Sequence, residues 1–140
     1  MKKTSLFLIA FFALSVLILS ACASGGASAS LGGEWTLISY GDPSNLTPAL
    51  PGVETSITFE NDQVGGTVGC NNFGGEYNAR SDQITFGSMA STLMFCEGTS
   101  EQEGVVLGIL SDKTMSFTLS GDQLTLSSAD GAAVVILKKK

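Results

Sequence analysis

From residue 34 to residue 137 the chain is cut into short segments that alternate apolar and polar side chains, with glycine, proline or Asn-Asp steps between them. Segments this short, alternating with a period of two, bury one face as strands; most offer no 3.6-residue period to a helix. The second half shows this most clearly. Residues 115–119 (MSFTL) alternate, Gly121-Asp122 turns the chain, 124–126 alternate again, and Asp130-Gly131 leads into the apolar run 132–137. Three segments at that spacing predict an antiparallel meander. Upstream, strands are expected over 35–40, 57–59, 64–68, 76–79, 83–86 and 91–95, with a turn at Asn61-Asp62. Residues 41–52 hold all three prolines and read as a loop.

One segment departs from this pattern. Ser100-Glu101-Gln102-Glu103 fits a capping box, in which the serine side chain takes the N–H of residue 103 and the glutamate reaches back. Val105, Val106, Ile109 and Leu110 then fall on one helical face, which predicts a short helix near 100–111 packed across a sheet or barrel mouth. Gly104 and Gly108 each cost it about 1 kcal/mol against alanine.

The first 21 residues have a different character. Lys2 and Lys3 precede an uncharged run, 6–19, which is short for a membrane-spanning helix and suits the apolar core of a signal peptide. It ends in Leu19-Ser20-Ala21-Cys22, which resembles the bacterial lipobox; that resemblance implies cleavage before Cys22 and acylation of its thiol and amino group. Two or three acyl chains hold a protein stably on a membrane, where one is marginal. The expected organisation is a signal peptide at 1–21, lipidated Cys22 with a flexible tether to residue 33, and a folded domain over 34–140. Ala23 stands where an aspartate often signals inner-membrane retention, so the outer membrane is expected where the organism has one.

Composition then narrows the chemistry. The 140 residues carry a formal charge of −6, a sequence pI near 4.4 and a mean hydropathy of +0.30. Past the signal peptide there are five basic and thirteen acidic residues, a side-chain charge of −8. Such a balance argues against nucleic acid as a partner. With no histidine, there is no Ser-His-Asp triad and no histidine-ligated metal. The glycine-rich stretch 65–75 lacks the lysine and following helix of a phosphate cradle and reads as turn-forming. Glu97, Glu101 and Glu103 do not have EF-hand spacing, and carboxylates at a helix start are favoured by its dipole. No metal or cofactor is expected. Eleven acidic residues between 34 and 112 face one basic residue, Arg80, and this reads as solubility before it reads as a recognition face. Lys138, Lys139 and Lys140 are expected as a solvated tail, with anionic lipid headgroups as the other reading; three lysines fall short of a lipid-binding cluster.

Once Cys22 is assigned to lipid, Cys70 and Cys96 remain. In an exported protein they most simply form a disulfide; buried thiols and a redox-active pair are the alternatives. Both lie in the most distinctive stretches, 69–77 (GCNNFGGEY) and 92–96 (TLMFC). Gly69, Gly74 and Gly75 permit a tight backbone path, and Asn71 and Asn72 tolerate turn conformations. Phe73, Tyr77, Met89, Met94 and Phe95 are candidates to fill a small barrel or to line an apolar pocket, with filling favoured.

Gly69, Cys70, Asn71, Phe73, Gly75 and Tyr77, followed by Thr92, Met94 and Cys96, resemble the paired motif of the META domain family, also called HslJ-like. Gly33-Glu34-Trp35 and Glu103 also fit that family. The resemblance implies a mainly β fold, a small antiparallel barrel-like sheet with one helix, often carried by envelope lipoproteins linked to heat or drug stress. The resulting expectation is a non-enzymatic envelope lipoprotein, held to the membrane by its lipid, that binds or stabilises an envelope component in stress tolerance. The alternative is a small barrel that binds a lipid or other apolar ligand.

Overall fold

The computed structural model describes residues 30–140. The predicted hairpins form where the turn residues demand them. β3 (Ser56–Glu60) and β4 (Gln63–Thr67) are joined by Asn61 and Asp62, whose φ values of 50° and 61° suit the two-residue hairpin turn that Asx residues tolerate. The meander is present as β8 (Thr114–Ser120), β9 (Gln123–Ser128) and β10 (Val134–Lys139). Between them run β5 (Asn72–Arg80), β6 (Gln83–Phe86) and α1 (Ser100–Leu110).

β1 (Gly33–Asp42) closes the sheet. It pairs with β3 through Gly33↔Phe59 and Trp35↔Ile57, and with β10 from Trp35↔Lys139 to Gly41↔Val134. The order β1-β3-β4-β5-β6-β8-β9-β10, antiparallel throughout and joined end to end, is an eight-stranded barrel. Closure leaves this sheet without free edges. A bulge between Leu37 and Ser39 turns Ile38 outward and restarts the alternation, so that Trp35, Leu37 and Tyr40 all point inward.

The interior is filled by side chains. Trp35, Ile57, Phe59, Ile84, Phe86, Met115, Leu124, Leu126 and Leu137 are buried in one continuous cluster, which Val106 and Leu110 of α1 join from one end. Phe59 meets Tyr77 edge to face, with ring centroids 5.1 Å apart.

Four expectations change. The proline-rich segment 41–52 is not only loop: β2 (Asn45–Pro48) folds back on β1, its proline at the strand's last position where the missing N–H does least harm. The glycine stretch extends β5 back to Asn72, because Gly65 and Gly74 pair directly across β4 and β5. Residues 91–95 are not a strand beyond β7 (Ala90–Ser91); Thr92 to Phe95 form a loop. The fold also reaches back into the expected tether, since Leu31 is buried and its carbonyl accepts the indole N–H of Trp35 at 2.8 Å.

The two rims of the barrel differ. The chain comes in at Gly33 and leaves at Lys139 on one rim, beside the turns at Asn61-Asp62, Ser81-Asp82 and Gly121-Asp122. The opposite rim carries β2, residues 87–113 with α1, and the Asp130-Gly131 turn.

Candidate functional site

The two halves of the motif meet at that second rim, beneath the start of α1. Glu103 is their hub. One of its carboxylate oxygens accepts the backbone N–H groups of both Cys70 and Asn71, and the other accepts the Asn71 side-chain amide at 2.9 Å. Asn71 also donates to the Met94 carbonyl at 3.0 Å, and its own oxygen accepts from the Thr92 hydroxyl at 2.9 Å and the Met94 N–H at 2.8 Å. Both donors and both lone pairs of this buried amide are therefore used.

The rest of the motif supports this clasp. Gly69 lies so close to α1 that a Cβ there would sit 2.7 Å from Cγ of Glu103. At Gly75 a Cβ would come within 3.0 Å of the Ser88 carbonyl oxygen. Cys70 and Cys96 stand at disulfide distance, Cα to Cα 6.2 Å. Phe73 is buried, and Tyr77 and Met89 pack against the core. Thr92 also accepts the Asn72 N–H at 3.1 Å. Met94 and Phe95 do not fill the barrel: they stand exposed on the loop with Leu93, and both border a groove open to solvent. Beside the loop lies an open groove of about 420 Å³ between Asn71, Met94, Glu103 and Leu107. Cys22 lies outside the described residues.

The capping box does not form. Thr99 is the N-cap and makes no side-chain cap; its hydroxyl and that of Ser100 donate to the Cys96 carbonyl instead. Glu103 is drawn to the barrel backbone rather than to its own helix end. Gln102, unremarked in the sequence, is buried beside it: its amide donates to the Val68 carbonyl at 2.5 Å and its oxygen accepts the Leu50 N–H at 2.8 Å. The buried face of α1 is therefore Gln102, Glu103, Val106 and Leu110, while Val105 faces outward. The only sequence signal for Gln102 is its place one residue before Glu103, in the first turn of the helix.

Burial alone would raise the pKa of Glu103, but the Asn71 amide and the N–H groups of Asn71 and Cys70 outweigh it and hold the carboxyl below its ordinary value. Among the described residues no group of three or more His, Cys, Asp or Glu side chains could hold a metal ion, and no buried side-chain polar atom lacks a partner. Nor is any helix among them long and apolar enough to cross a membrane. The terminal lysines are no free tail. Lys138 lies 3.5 Å from Asp122, Lys139 stands 5.4 Å over the Trp35 ring, and Lys140 pairs with Glu34 at 2.7 Å.

The sequence profile of the META domain matches residues 28–140, which contain every element described above. The chain belongs to the META domain family. A comparison with curated proteins finds no match. Solved structures share the barrel. A Burkholderia xenovorans protein solved by NMR superposes with a TM-score of 0.64 at 19% identity, over 77% of this chain and 81% of that one. A DUF4847 family protein from Bacteroides vulgatus gives 0.56 at 12%, covering 78% and 93%. A lipocalin-like protein from Bacteroides uniformis gives 0.52 at 18%, covering 79% and 98%. At these identities the likeness is one of fold.

Proposed function

We propose that this META domain protein is a non-enzymatic envelope lipoprotein, held to the membrane through Cys22, whose barrel binds or stabilises another envelope component and so supports stress tolerance. One observation carries the reading: the polar atoms of the family motif are spent on one another. Asn71 has no free donor or acceptor, and Glu103 is held charged by three N–H groups. A general acid or base needs a pKa near the working pH and an open path to substrate. The clasp instead fixes the shape of a surface loop. The Leu19-Ser20-Ala21-Cys22 lipobox supports the envelope location. The side chains that fill the barrel count against an apolar ligand inside it.

Formaldehyde crosslinking in live cells followed by mass spectrometry of the captured protein tests the reading. A recurring envelope protein in the adducts is the expected result; adducts that vary from one preparation to the next, or none, would overturn it.

A further inference from the structure

We propose that the loop from Thr92 to Glu97, on the rim opposite the chain's entry into the barrel, is a docking ridge for an apolar cleft with a basic rim on another envelope protein; the inference rests on the binding reading above and names its surface. Three consecutive large apolar side chains stand out on this loop, Leu93 96%, Met94 58% and Phe95 88% exposed. Leu46 on β2 and Val105 on α1 are also exposed at this rim. Exposed apolar side chains grouped in this way mark interaction sites more often than singly scattered ones do.

The ridge is built and not slack. Asn71 holds both the N–H and the carbonyl of Met94, Thr92 exchanges hydrogen bonds with Asn71 and Asn72, and Cys96 is beside Cys70. The backbone is thus fixed on both sides of Leu93 and Phe95 while their side chains stand largely exposed. A loop ordered beforehand loses less freedom on binding, which favours affinity.

Charge selects the kind of partner. Glu97 ends the ridge and Glu101 follows it in the first turn of α1; both are exposed, and no lysine or arginine occurs between Arg80 and Lys113. An anionic lipid surface and a second copy of this acidic chain are both repelled, whereas lysines or arginines around an apolar cleft would be attracted. Position points the same way. Gly33, where the chain enters the barrel, is at the opposite rim from α1 and its preceding loop, so an anchor at Cys22 would attach at the end away from the ridge.

The test places a photo-crosslinking p-benzoylphenylalanine at Phe95, or at Asp82 on the opposite rim, in the full-length protein in live cells. Crosslinked peptides are then identified by mass spectrometry. The expected result is a protein adduct from position 95 whose peptide is apolar and flanked by lysine or arginine. Glu97→Lys with Glu101→Lys should cut its yield on the order of tenfold. Adducts from position 95 to phospholipid, to a second copy or to a peptide without basic residues would overturn the proposal, as would a yield indifferent to the charge reversal. Adducts from position 82 alone would overturn the ridge and leave the binding reading standing. Silence at both positions would remove both.

Discussion

Glu103 on α1 and Asn71, the residue before β5, are joined twice, by the Asn71 backbone N–H and by its side-chain amide, across 32 residues of sequence. The same carboxylate takes the Cys70 N–H, so one side chain satisfies the backbone where the chain passes under the helix. Replacing Glu103 with Gln keeps the shape but turns one acceptor into a donor facing the Asn71 amide. The variant should lose about 1–3 kcal/mol, the usual consequence of stranding a buried polar partner. Urea unfolding of both proteins at neutral pH measures it.

The same contact sets a pH dependence. The folded pKa of Glu103 is lowered, so its contribution is present above the ordinary value of 4.5 and is lost as pH falls through the folded value. Glu34, Asp42 and Asp130 are also lowered, Glu34 by its bonds to Lys140 and Ser56, the two aspartates by nearby serines, and act in the same acid window at the surface. Denaturant midpoints followed from pH 7 into the acid range should therefore fall less steeply for Glu103→Gln than for the natural protein. Parallel curves would mean that the carboxylate is not coupled to folding.

Glycines separate by what surrounds them. Gly69→Ala would press a methyl group into the Glu103 side chain and should destabilise by about 1–3 kcal/mol. Gly104, on the exposed side of α1, has no neighbouring atom within 4 Å of the place a methyl group would take, and Gly104→Ala should stabilise the helix by about 0.8–1 kcal/mol. Thermal unfolding of the two variants should move in opposite directions.

What the sequence made legible was local. Asn61-Asp62 and Gly121-Asp122 announce their hairpins because each turn decides its own geometry within four residues. Closure of the barrel was not legible from periodicity, since β1 meets β10 across about a hundred residues and alternation says nothing about which strand lies beside which; the barrel came from the family resemblance. Residues 91–95 read as a strand because Leu93-Met94-Phe95 is apolar, yet Asn71 claims the backbone of Met94 and leaves its neighbours outside. The helix face was misassigned for the opposite reason. Gln102 and Glu103 are polar, so a hydrophobic count places them outward, while the barrel backbone at Val68, Cys70 and Asn71 needs their polar atoms inside.

Cys70 and Cys96 should be linked in the protein recovered from cells, as their 6.2 Å Cα separation allows. Peptide mapping without reductant checks this, and free thiols at both positions would refute it. A bond closing a 26-residue separation should stabilise the fold by roughly 3 kcal/mol in the chain-entropy picture, so Cys70→Ser should lower stability by a few kcal/mol.

The proposed anchor at Cys22 is tested directly on the mature chain. If residues 19–22 act as the lipobox they resemble, the mature chain begins at Cys22 and carries acyl groups on its thiol and amino group. Intact-mass measurement on membrane-extracted protein should show that first residue and the added lipid, and a chain beginning elsewhere would refute the anchor. Cys22→Ser removes the acceptor thiol, so the protein should leave the lipidated membrane fraction while the barrel, whose buried cluster begins at Leu31, keeps its unfolding midpoint. That pairing of outcomes separates anchoring from folding: a variant that both relocates and unfolds would show that the chain before Leu31 contributes to the barrel itself.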